Sequence, residues 1–298
     1  MTRKLTASTA LLLTIAPLLW AGNAIVGRLV RDAVPPMTLN LLRWSIALLI
    51  LLPLGRAMLH PDSGLLSNWR RYALLGLTGI GLYNSLQYLA LQSSTPINVT
   101  LVAAGMPVWM LLVGWLFFGA RIQPRQLAGA ALSIAGVLLV LSRGEWRQLL
   151  ALRLVPGDLY MILATIAWSF YSWLLTQAKE PSRVRANWAA YLFAQVLYGV
   201  LWSGLFAGIE WRGATRPIVW SGALLAALLY VAIGPAIIAF RCWGEGVRRA
   251  GPTVGAFFTN LTPLFAAVLS SAFLGELPHA YHALAFCLIV GGIAISSR

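Results

Sequence analysis

PINVTLVAAGMPVWMLLVGWLFFG at residues 96–119 and PTVGAFFTNLTPLFAAVLSSAFLG at 252–275 share few side chains. Even so, Pro96, Pro107 and Gly119 return as Pro252, Pro263 and Gly275, each displaced by 156 positions. Proline fixes φ and withholds an N–H, and glycine admits turns that other residues resist, so what recurs is a backbone shape. A recurrence of this kind inside strongly apolar sequence marks the chain as a duplication. In a bilayer, duplicated helix sets related by a two-fold axis are a recurring way to build a solute pathway, with the site at the repeat interface near the midplane.

Composition puts the duplication in a membrane. The 298 residues are 59% hydrophobic and 10% charged with a mean hydropathy of +0.78, more than a soluble core needs, and apolar runs of about 20 residues recur end to end. The pattern predicts an all-α membrane protein with ten transmembrane helices, at about 7–29, 36–56, 71–92, 97–118, 124–142, 157–177, 187–207, 217–240, 252–274 and 279–297. The loops between them are too short for a soluble domain.

A net charge of +14 would suggest nucleic acid in a soluble protein. Here the basic residues follow topology. With the N-terminus in the cytoplasm, Arg3, Lys4, Arg56, Arg70, Arg71, Arg121, Arg125, Lys179, Arg183, Arg185, Arg248, Arg249 and Arg298 fall inside. The smaller set Arg28, Arg31, Arg143, Arg147, Arg153, Arg212 and Arg216 falls outside. The positive-inside rule therefore places both termini in the cytoplasm, in a multi-pass protein of the cell inner membrane. Arg3, Lys4 and the apolar run after them imitate a secretory signal. Cleavage would remove the first helix of one repeat, so an uncleaved span is expected. Cys242 and Cys287 lie in apolar surroundings, as ordinary buried thiols do.

The two repeats are 1–145 and 155–298, with five spans each. An odd number of spans sets the second upside down relative to the first, giving two inverted five-helix repeats. The linker around Arg143 to Pro156 reads as an amphipathic interfacial segment. Trp20, mid-way along span 1, matches Trp168 mid-way along span 6. With the Leu261-Thr-Pro-Leu-Phe265 stretch, the Gly119-Ala-Arg121 turn and the Gly275-Glu-Leu277 turn, the paired units resemble EamA-type members of the drug/metabolite transporter superfamily over the whole chain. The tryptophan count and the aromatic mid-span positions are similar to those of YddG-type aromatic amino-acid exporters. That resemblance implies export through a central cavity, with rocking of the 3–4 and 8–9 span pairs supplying the motion.

Candidate site residues are polar or aromatic side chains at mid-span depth. Tyr83, Asn84, Gln87 and Tyr88 occupy one stripe of span 3. Such a stripe would leave amides unpaired in hydrocarbon, so it faces a neighbouring helix or an aqueous cavity. Groups at matched depth favour the cavity: Trp20 and Asn23, Met106 and Trp109, Trp168 and Tyr171, Tyr230, and Thr259 and Asn260. These are the candidate substrate-binding residues, with ordinary core packing as the alternative for each tryptophan. Trp69, Trp146, Trp188, Trp211 and Trp220 fit an interfacial belt instead. Pro107 and Pro263 are candidate hinges or cavity-lining breaks in spans 4 and 9, with static curvature as the alternative. Gly76, Gly79, Gly81 and Gly234 mark thin points, and Gly129, Gly136, Gly291 and Gly292 make spans 5 and 10 packing elements at the periphery. Arg43 lies well inside span 2, either bonded to helix carbonyls, snorkelling outward, or attracting a substrate carboxylate.

All eight acidic residues fall in loops or near span ends, which weakens the case for a mid-membrane proton relay. Three scattered histidines make no metal site, and neither a phosphate loop nor a nucleophile elbow occurs. No cofactor is implied. The sequence therefore reads as a transporter rather than an enzyme, exporting aromatic amino acids or similar amphipathic metabolites by alternating access. Its expected partners are a small-molecule substrate and the lipid bilayer, not nucleic acid, and it is expected to be a monomer or weak homo-oligomer. A drug or small-metabolite exporter is the alternative within the class. A membrane-embedded enzyme or a channel is the alternative outside it.

Overall fold

The computed structural model describes residues 5–94, 96–145, 147–150, 155–177, 179–180, 182–213, 217–274 and 280–297. Arg3, Lys4, Trp146, Arg153, Arg216, Arg298 and the Gly275-Glu-Leu277 turn lie outside this set.

Among the described residues every regular element is helical. The first half contains α1 (Ala7–Leu29) and α2 (Pro36–Gly55). Next, α3 (Trp69–Leu75) passes through a π-helical segment, Gly76–Leu82, into α4 (Tyr83–Ser93). It closes with α5 (Pro96–Ala104), α6 (Met106–Phe118) and α7 (Pro124–Leu141). A single turn, α8 (Arg147–Leu150), lies in the linker. The second half contains α9 (Pro156–Thr176), a short α10 (Ser182–Ala186) and α11 (Trp188–Glu210). Then α12 (Gly222–Val231) passes through a second π-helical segment, Ala232–Ile238, into α13 (Ala239–Ala250), followed by α14 (Pro252–Thr259), α15 (Thr262–Leu274) and α16 (Ala280–Ser296).

Local chemistry sets these boundaries. Pro36, Pro124 and Pro156 open their helices where a missing N–H costs no hydrogen bond. Thr6, Asn187 and Ser221 accept N–H groups of the first turns of α1, α11 and α12. Glu210, at the end of α11, caps a different helix: its carboxylate accepts the N–H groups of Met37 at 3.0 Å and Thr38 at 2.9 Å at the start of α2. The α6 helix ends at Gly119 and α13 at Gly251, with φ of 66° and 91° that favour glycine.

The displacement of 156 positions extends beyond the prolines. It relates the two π-helical segments, α6 to α15 at both ends, and the starts of α7 and α16. Gly76-Leu-Thr-Gly-Ile-Gly-Leu82 and Ala232-Ile-Gly-Pro-Ala-Ile-Ile238 are unlike in residue type and take the same wide turn. The prolines mark breaks rather than bends within a continuous helix. The chain breaks before them, at Gly105 and at Asn260–Leu261, and Pro107 and Pro263 each sit second in the helix that follows.

Seven helical stretches among the described residues are long and apolar enough to cross a membrane: 7–27, 36–59, 124–141, 156–176, 188–210, 222–250 and 252–269. The reasons the others fall short are local. The 69–93 stretch carries Arg70, Arg71, Asn84 and Gln87, α6 is 13 residues long and α16 is 17. The outward surface is apolar, with Leu11, Leu49, Phe117, Leu201, Val268 and Leu284 all exposed, as hydrocarbon surroundings require.

The halves interlock. The α1 helix of the first half packs against α13, α14 and α15, while α9 of the second packs against α4, α5 and α6. Across the halves α2 pairs with α11 and α7 with α16. The last pair meets backbone to backbone: a Cβ on Gly129 would lie 2.7 Å from the Gly292 carbonyl oxygen, and one on Gly292 equally close to that of Gly129.

Candidate functional site

A cavity of about 450 Å³ enters the assembly from the end where α1 and α4 finish and α2 begins, beside Arg31, Pro36, Gln92 and Ser94. It descends to Trp20, Tyr83, Met106, Phe240 and Asn260 near the helix centres. The volume lies in the range of about 300–1,000 Å³ that small-molecule sites occupy.

The stripe of α4 forms one wall. Tyr83, Asn84, Gln87 and Tyr88 all line the cavity. Asn84 is anchored by the π-helical turn before it, donating to the carbonyl oxygens of Gly79 at 3.2 Å and Ile80 at 3.4 Å. The same wall carries a charge behind it: Arg43 of α2 donates through Nη1 to Asn84 Oδ1 at 3.1 Å and lies 3.4 Å from the Tyr88 hydroxyl. Arg43 is 1% exposed, so it does not snorkel. Opposite stand Trp20 and Asn23 of α1. The Trp20 indole donates to the Pro235 carbonyl at 3.2 Å, whereas the buried Asn23 Oδ1 has no hydrogen-bond partner.

The two helix breaks supply a third wall, with Thr100, Ala103 and Ala104 from one and Thr259, Asn260, Thr262 and Pro263 from the other. Pro107 and Pro263 have no N–H to give back to the carbonyls of Ala103 and Thr259, so neither carbonyl can receive the usual helical bond from four residues on. Asn260 joins the breaks, donating to Ser133 Oγ at 2.9 Å and to the Ala104 carbonyl at 3.4 Å.

Four residues that the sequence groups with the site lie elsewhere. Trp168 is 1% exposed and forms a plug beneath the cavity floor, with its ring 5.2 Å from Trp20, 4.7 Å from Tyr83, 5.0 Å from Tyr171, 5.4 Å from Phe240 and 5.5 Å from Trp243. Tyr171 lies deeper still, donating to Gln195 Oε1 at 3.0 Å. Tyr230 rests over Gly22 of α1, and its hydroxyl would be 2.0 Å from a Cβ there. Trp109 is half-buried beside Gly105 and does not line the cavity. So α9, expected to bound the cavity, backs it instead, and α2 and α7 contribute Leu39 and Val137. The sequence reading also missed Phe240, whose one signal is an aromatic ring within the eighth apolar stretch. Phe240 lines both this cavity and a small void beyond the plug.

Beyond that void the assembly is closed by charge. Glu180 is 7% exposed and pairs with Arg71 Nε, with the Tyr191 hydroxyl at 3.1 Å and with Arg185 at 3.7 Å. Arg71 also donates to the carbonyls of Leu174 and Gln177 at the end of α9. Arg248 reaches the Arg185 carbonyl at 3.1 Å and pairs with Glu245. Glu180 and Asp158, read from the sequence as loop or span-end groups, are therefore buried structural ions, Asp158 bonding Ser94 and the Val155 N–H.

Among known proteins, the model of the EamA-like transporter family matches this chain twice, over residues 7–142 and 155–298. An uncharacterized transporter of Archaeoglobus fulgidus is 28% identical over 291 residues, covering 97% of each chain. The aromatic amino acid exporter YddG of Ancylobacter novellus is 28% identical over 283 residues, 95% of this chain and 94% of that one. A solved crystal structure superposes with a TM-score of 0.75 at 26% identity, covering 97% of both chains. Matched by the family model over nearly its whole length, this multi-pass membrane protein belongs to the EamA-like transporter family.

Proposed function

We propose that the protein exports aromatic amino acids, or amphipathic metabolites of similar shape, by alternating access through this cavity. One observation carries the reading: the rings of Trp20, Tyr83 and Tyr88 share a single chamber with the amides of Asn23, Asn84, Gln87 and Asn260. Flat apolar faces suit an indole or phenyl group, at about 0.5–1.5 kcal/mol per well-placed ring pair beyond area burial. The amides suit the polar backbone of an amino acid. A relative of comparable length named as an aromatic amino acid exporter supports the same substrate class.

The reading includes ten spans as two inverted repeats, 1–145 and 155–298, in the cell inner membrane with both termini cytoplasmic. On that orientation the cavity opens outward, and the Glu180 cluster closes the inner face. The breaks at Gly105 and Asn260–Leu261, each followed by its proline, are the hinges about which the walls rock. Trp168, Tyr171, Trp109 and Tyr230 act from behind or beside the walls in this outward-open form.

Counterflow of labelled phenylalanine into proteoliposomes of the purified protein tests the reading. Accumulation above empty vesicles, stimulated by unlabelled tryptophan on the opposite side and weakened by Tyr83→Ala, is expected. No accumulation overturns the amino-acid substrate, and flux without trans-stimulation or saturation replaces the carrier with a channel.

A further inference from the structure

Arg43 is a cation within the second apolar span with, among the described residues, nothing of opposite charge paired with it. Its side chain is among the most deeply enclosed in the molecule, at 1% exposure, and its bonds go to neutral groups, Asn84 Oδ1 and the Tyr88 hydroxyl. Among the described residues its Nε has no hydrogen-bond partner and no carboxylate pairs with it. The Trp44 ring, 5.1 Å away, offers only the partial negative charge of its face. Buried Arg71, by contrast, is matched by the Glu180 carboxylate, which also meets Arg185. Burying an uncompensated ion costs free energy that truncation would avoid. Charges of this kind mark a site whose counter-ion arrives from outside.

The position of Arg43 says where that ion sits. Both of its polar partners line the cavity. Held by Nη1, Asn84 turns its Oδ1 toward the guanidinium and its Nδ2 toward the Gly79 and Ile80 carbonyls. The Tyr88 hydroxyl accepts from Nη1 and so keeps its own proton to donate. A guanidinium behind a hydroxyl polarises it as a donor, and in a low-dielectric interior its charge is felt beyond the groups it touches.

We propose that Arg43, acting with Asn84 and Tyr88, is the counter-charge for a carboxylate on the transported molecule, so that the cavity selects ring-bearing acids and zwitterions and rejects ring-bearing cations. This rests on the cavity being the transport site. It goes further by assigning the sign of the charge that the site reads. Arg31 at the mouth adds positive potential along the same route, although Asp32 lies 3.4 Å from it.

The test uses a pair of probes with one skeleton and opposite charge, 3-phenylpropanoate and phenethylamine. Binding to the purified full-length chain is followed by tryptophan fluorescence and by thermal stabilisation. The acid is expected to bind about tenfold or more tightly than the amine. Arg43→Gln should remove that preference, Arg43→Lys should keep most of it, and Tyr88→Phe should reduce it about threefold while retaining the ring. Equal binding of acid and amine, binding of neither, or a preference that persists in Arg43→Gln overturns the proposal. Should Arg43→Gln fail to fold, the wild-type comparison and Tyr88→Phe decide the matter. The outcomes separate from those of phenylalanine counterflow: an acid preference without phenylalanine transport removes the amino-acid substrate and leaves Arg43 in its role. Phenylalanine transport without an acid preference does the reverse.

Discussion

The two ends of the helix assembly differ in what crosses between the halves. At the end where the cavity opens, α1, α2 and α4 stand apart around Arg31, Pro36 and Ser94, and the ties are caps such as Glu210 on α2 and Ser94 on Asp158. At the other end, Glu180 binds Arg71, Arg185 and Tyr191, while Arg71 fastens the end of α9 to the start of α3. Between them lies a plug of five rings around Trp168. The open end is thus lined mostly by uncharged side chains, with exposed Arg31 at its mouth and the carboxylates of Glu210 and Asp158 held by hydrogen bonds rather than by arginines. The shut end is held by ions that satisfy one another, and water reaching them would weaken that hold by screening. An ionic latch can therefore be weakened by hydration.

The largest way to break the contrast is Glu180→Ala. It leaves Arg71 and Arg185 enclosed without their carboxylate, and removing one partner of a buried pair costs about 3–5 kcal/mol. A lowered melting temperature is expected, together with faster maleimide labelling of buried Cys242 in a Cys287→Ser background. Labelling as slow as in the parent would mean that the latch does not hold this end shut. Tyr171→Phe is smaller. It removes the hydroxyl that meets Gln195 Oε1 at 3.0 Å, leaving a buried acceptor unpaired at a cost of about 1–3 kcal/mol, measurable by thermal melting. At the open end, Arg31→Gln changes an exposed side chain paired only with its exposed neighbour Asp32. Its effect on stability should stay within about 0.5 kcal/mol, with uptake slowed at low ionic strength and equal to the parent at high salt. A large loss of stability would show that the open end is also held by charge.

How legible these regions are in the sequence follows from the range of the forces that build them. Tyr83, Asn84, Gln87 and Tyr88 fall on one face by helical periodicity alone, and that face coincides with the cavity wall. The breaks at Gly105 and Asn260–Leu261 are marked by proline, displaced by two or three residues, since a proline in the first turn of a helix and one inside it look alike in a single sequence. Trp168 and Trp20 match in sequence position, yet one is sealed and the other faces space. Depth within a span says how far along the membrane normal a ring lies and nothing about its angle around the bundle. The latch was the least legible. Glu180 and Arg71 stand 109 residues apart, and each reads as an ordinary charge at a helix end. The wide π-helical turns carry no composition signal either, beyond the glycines at 76, 79 and 81.

The exchange of α1 and α9 between the halves has a consequence for how such a protein comes into being. Each half lends its leading helix to the other's body, so neither completes its own interior. The chain is in effect a pair of mutually dependent subunits joined by a tether. Cutting that tether after Glu145 would leave two fragments that must find each other before either is finished, and a ribosome that has delivered only the first has made a container missing a stave.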